Sequence, residues 1–99
     1  MADAAGWPDT DEMKLLLNID GDAHDESLSA ILEAAVDYVK SEVGGWDDES
    51  DSPTTRLNRA ALRMAILMSQ APGVEADVLS QDFVYRRNIA GHRRTFGVA

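Results

Sequence analysis

The residues best placed to do chemistry lie in one acidic turn, Asp20-Gly21-Asp22, followed by His24, Asp25 and Glu26. Carboxylates crowded around a glycine suggest a calcium loop, but the spacing fails. Counted from Asp20, the sixth position is Asp25 where glycine is required, and the twelfth is Ile31 where a bidentate Glu is required. Counted from Asn18, those positions are Ala23 and Ser29. The turn and the start of the next helix account for Asp20 and Asp22. His24 and His92 are the only histidines, and neither stands one helical turn from a second ligand type on a firm helix. There is no cysteine, which removes disulfides and thiolate metal sites, and no glycine loop of the phosphate-binding kind. No catalytic residue, metal ligand or cofactor site is therefore expected. The remaining cluster is basic and aromatic: Arg86, Arg87, Arg93 and Arg94 with Tyr85 and Phe96. Such a group can bind nucleic acid. Arginines can equally dock on an acidic protein surface, because the planar guanidinium holds carboxylates in pairs.

Charge limits the partners. The net charge is −9 over 99 residues, against a general nucleic-acid binder. Its distribution says more. Residues 1–51 carry fifteen acids and two lysines, and residues 52–99 carry seven arginines and three acids, so the halves are −13 and +4. Two readings fit: two solvated faces of one domain, or the acidic half of one copy meeting the basic half of the next. Complementary, non-identical patches close into rings when the rotation allows. No apolar run approaches the ~18 residues that a membrane span needs. The N-terminus lacks the basic and apolar regions of a signal peptide. A soluble, intracellular protein is the expectation. One domain is expected from the length, with a core over about residues 10–90, a flexible arm at 1–9 and a tail at 91–99.

The positioning elements are helical, and the pattern predicts an all-α bundle of three to four helices. Thr10 is a candidate cap for a short helix carrying Met13, Leu16 and Leu17. The surest element runs from Asp22 or Asp25, either of which can cap it, to Gly44. There Leu28, Ile31, Leu32, Ala35, Val36, Tyr38, Val39 and Val43 form one apolar stripe, with Glu33, Asp37 and Lys40 opposite. Ala30, Ala34 and Ser41 form a strip of small side chains, which suits either a neutral surface or the close approach of another backbone. Ser52 and Pro53 suit the start of a third helix running to about Gln70. Its main face is Leu57, Ala60, Ala61, Met64, Ala65, Leu67 and Met68. Leu62 and Ile66 form a second apolar patch beside Arg59, Arg63 and Gln70. A helix apolar on two sides is usually sandwiched; the second neighbour is either the C-terminal segment or another subunit. Residues 77–90 fit a short helix, which is the reading taken, or a strand. Trp7 and Trp46 fall in loops, where indoles cap a domain's own core or anchor a partner.

In order and pattern, Leu16-Leu17-Asn18-Ile19-Asp20-Gly21-Asp22, Asp25-Glu26, Leu28, Ile31-Leu32, Ala34-Ala35, Tyr38 and Gly44, followed by the Ala/Leu-rich stretch Leu57–Gln70, resemble the head–tail connector (adaptor) proteins of siphophages and gene transfer agents. The likeness covers about residues 12–70. It departs where the family helix continues into a His/Tyr-x-x-Arg ending, since here Met68-Ser69-Gln70-Ala71-Pro72-Gly73 stands instead. The resemblance implies a structural, non-enzymatic subunit of a homo-oligomeric ring, usually twelve-fold. The ring sits beneath the portal protein in the particle neck and is assembled in the host cytoplasm. It extends a DNA channel without sequence-specific contact, and it carries a stopper or tail-completion protein. In that setting Arg59, Leu62, Arg63 and Ile66 are the expected subunit interface. The expected portal-docking tail holds Phe83, Tyr85, Arg86, Arg87, Arg93, Arg94 and Phe96. The alternatives are a small acidic regulatory or antitoxin-like interaction module and a nucleic-acid-binding helical module.

Overall fold

A computed structural model describes residues 6–92. The described residues form five helices: α1 (Thr10–Leu17), α2 (Asp25–Val43), α3 (Thr55–Gln70), α4 (Ala76–Leu79) and α5 (Phe83–Ile89). They contain no strand. The all-α expectation holds, and the C-terminal segment breaks into two short helices instead of one.

The helix starts follow from side chains that satisfy the free N–H groups of a first turn. Asp9 caps α1: its carboxylate accepts the Glu12 N–H at 3.0 Å, and the Glu12 carboxylate accepts the Asp9 N–H at 3.2 Å. This reciprocal pair displaces the cap from the expected Thr10. At α2 neither Asp22 nor Asp25 caps the helix. Lys14 takes both, donating to Asp25 at 2.8 Å and Asp22 at 3.5 Å, and so ties the end of α1 to the start of α2. Gly44 ends α2 at φ 85°, as its position suggested. Helix α3 begins two residues later than expected, because the Thr54 hydroxyl accepts the Leu57 N–H at 3.1 Å.

Packing is centred on α3, which lies between α2 and α5. Leu28, Leu32, Ala35, Val39 and Val43 of α2 meet Leu57, Ala60, Ala61, Met64 and Ala65 of α3 in a continuous buried cluster. The alanines remove bulk at the contact and let the helix axes approach. Met13 from α1 and Tyr85 and Ile89 from α5 complete the core.

Two expectations are corrected here. The predicted flexible arm is not free from Trp7 onward: Trp7 and Pro8 are buried, and the Asn58 side-chain amide donates to the Gly6 carbonyl. Trp7 lies 5.4 Å from Trp46 between ring centroids, with the Lys40 ammonium 5.8 Å from the Trp7 ring. Both indoles therefore cap the chain's own core. The predicted docking tail is likewise not a tail over residues 83–89. That stretch is α5, and Tyr85 is fully buried.

Candidate functional site

The residues expected at a subunit contact do come together. Leu62 and Ile66 form the floor of an open groove of about 430 Å³, flanked on α3 by Arg59, Arg63 and Gln70. The walls are Leu16 and Leu17 from α1 and Val84 from α5. The C-terminal segment, one of the two candidate neighbours, thus touches the edge of the second apolar face through α5, as α1 does on the other side, yet neither helix covers it. Leu16 remains 60% exposed and Val84 42%, so an apolar lining meets solvent here.

Arg63 and Arg59 behave differently. Arg63 is held within the subunit: its Nε and Nη2 donate to the two Asp82 carboxylate oxygens, each at 2.9 Å. The bidentate pair clamps α3 to the start of α5, and the same Asp82 caps α5 by accepting the Tyr85 N–H at 3.0 Å. The Arg63 guanidinium, with the Tyr85 N–H, holds the Asp82 carboxyl at about 2, well below its ordinary value. Its charge is therefore already paired within the subunit, while the side chain still lines the groove. Arg59 is exposed and has no acidic partner among the described residues, so it supplies the groove's open positive charge.

The expected docking residues separate. Tyr85 points inward, and its hydroxyl donates to Glu42 of α2 at 2.9 Å. Phe83 is 71% exposed, and the Arg87 guanidinium lies 5.7 Å from its ring. Arg86 joins them along a cleft of about 540 Å³ that ends at Ala90 and Gly91. Arg93, Arg94 and Phe96 lie outside the described residues. His92 is engaged through Nε2 with the Thr54 hydroxyl at 3.0 Å, beside the start of α3. Among the described residues no group of three His, Asp or Glu side chains is arranged to hold a metal. The acidic turn is instead occupied by Lys14.

The sequence places Leu16 with Met13 on one face of α1, whereas Met13 is buried and Leu16 is exposed at the groove; Val84 and the Arg63–Asp82 clamp carry no such sequence signal. One signal for Leu16 was available. Three successive leucines, Leu15-Leu16-Leu17, spread over about 200° of the helix circumference at about 100° per residue, wider than one core-facing stripe, so at least one must face away from the core.

A family model described as phage gp6-like head–tail connector protein matches residues 9–89. The chain belongs to that family. No curated protein and no solved structure matches it. The matched span opens on the Asp9 cap and closes at the last residue of α5. It therefore takes in α4 and α5, beyond the stretch that carried the resemblance in the sequence. Its role is accordingly that of a head–tail connector, a structural part whose family belongs to the virion neck. No described helix is long and apolar enough to cross a membrane.

Proposed function

We propose that this connector subunit forms a closed ring beneath the portal, extends the channel through which DNA leaves the head, and offers its far side to a stopper or tail-completion protein. The observation that carries the reading is the open groove on α3, an apolar surface in a chain whose family joins head to tail. A small subunit that leaves Leu16, Leu62, Ile66 and Val84 accessible has unspent hydrophobic surface, and association is the physical use for it. The division of charge fits a ring, because the acidic and basic halves are different surfaces and head-to-tail contacts need different surfaces. A twelve-fold ring is the expected stoichiometry from the family likeness.

The C-terminal segment supplies the portal contact in this reading. Arg86 and Arg87 on α5 and Arg93 and Arg94 beyond it make the end of the chain basic, suited to an acidic surface on the portal. An acidic lumen would let DNA slide, since like charge prevents phosphate contacts from forming.

The experiment is removal of the chain from a particle-producing cell. The expected result is accumulation of DNA-filled heads and separate tails, with joining restored by the supplied chain. Normal yields of joined, infectious or transfer-competent particles without it would overturn the assignment.

A further inference from the structure

We propose that the α3 groove is filled by the outer face of α2 from a second copy of the chain, centred on Ala34 and Asp37. The inference rests on the ring reading and names the two surfaces that make the ring.

The groove needs an occupant that is narrow, partly apolar and negatively charged. Its floor is Leu62 and Ile66, and its open charge is Arg59. The chain's own C-terminal tail is a poor match, because Arg93 and Arg94 would bring positive charge to a positive rim. The outer face of α2 has the complementary character: Ala30, Glu33, Ala34, Asp37 and Ser41 are all exposed. Glu33 and Asp37 oppose the sign of Arg59. The alanines and serine have little bulk, so a helix bearing them can sink between the walls of a groove to the short end of the usual 8–10 Å axis separation.

Two geometric facts favour this pairing. First, the lengths agree. Ala30 to Ser41 and Arg59 to Gln70 each take in twelve residues, roughly 16 Å of helix between the end positions. Second, the surfaces look in opposite directions. The outer face of α2 lies about half a turn round from its core stripe Leu28, Leu32, Ala35 and Val39, and Leu62 and Ile66 lie about half a turn round from Ala60, Ala61 and Met64. The two core stripes face each other, so the outer faces sit on opposite sides of the α2–α3 layer. A contact between opposite sides repeats head-to-tail, and a ring requires that.

The test uses cysteines, because the chain has none of its own. Ala34→Cys and Ile66→Cys are introduced together, and assembled particles are oxidised and run on a non-reducing gel. The expected result is a ladder of dimers, trimers and larger species, while each single variant stays monomeric. Dimers from Ile66→Cys alone would mean that groove meets groove, and the proposal fails. A link to a different virion protein, or no link in particles that contain the chain, also overturns it. Absence of the unaltered chain from particles would overturn the ring reading beneath it. A second arm avoids reliance on residue 66. Glu33→Arg with Asp37→Arg should lower incorporation at least about five-fold, and adding Arg59→Glu should recover it. Incorporation unaffected by the first pair, or not recovered by the third change, contradicts the proposal.

Discussion

The two long faces of α3 both carry apolar residues and have different fates. On one face Ala60, Ala61, Met64 and Ala65 are fully buried against α2 and α5. On the other, Leu62 and Ile66 floor a groove that the chain itself leaves open, with Arg59 and Gln70 at its border. The buried face has small residues where helices cross and no charge among its buried residues. The open face carries arginines within a turn of its apolar residues. Helical periodicity reports that a face will be covered; the charges beside it separate cover by the same chain from cover by another.

The largest effect should come from setting one face against the other. Met64→Ala removes a fully buried side chain and should lower stability by about 2–5 kcal/mol. Leu62→Ala, on the open face, should lower it by less than about 1 kcal/mol in the isolated chain. Chemical denaturation of both variants measures the difference. Equal losses would mean that the groove is core, and the contrast collapses.

A smaller effect should come from the clamp that closes the groove's α5 side. Asp82→Asn leaves Arg63 without its carboxylate and should destabilise by about 1–2 kcal/mol at neutral pH, since the pair is partly solvated. The sign with pH follows from the lowered Asp82 value of about 2. The carboxylate contribution is fully present above the ordinary aspartate range, near 4. It should fade as pH drops from there through about 2. The stability gap between the native chain and Asp82→Asn should therefore close over that interval, as read by denaturation at stepped pH. A gap constant down to pH 2 would mean that the ion pair contributes nothing.

Helices α2 and α3 were legible because sixteen residues or more display several turns of apolar repeat. The helix at α5 is the reading taken, but its seven residues are too few for the repeat to show which side is buried, so Tyr85 falls among the docking residues instead of the core. What fixes α5 is distant in sequence: Arg63 on Asp82, and Glu42 on the Tyr85 hydroxyl. The same holds for Trp7, whose partners Trp46 and Lys40 lie far along the chain. The Asp9–Glu12 capping box was readable in the residues Asp9-Thr10-Asp11-Glu12, and favouring Thr10 overlooked the i, i+3 spacing of its acids. At the candidate site, the floor and Arg59 were visible as a second stripe on one helix. The walls were not, because they come from α1 and α5 and depend on how three helices meet.

The claim that the second face of α3 exists for assembly is tested most directly by Ile66→Asp, read two ways on the same variant. Thermal unfolding of the isolated chain should stay within a few degrees of the native value, because Ile66 already borders solvent. Incorporation into particles should be lost, leaving heads and tails unjoined, because a buried unpaired carboxylate is not tolerated at a packed contact. Joined particles carrying Ile66→Asp at native levels would contradict the account.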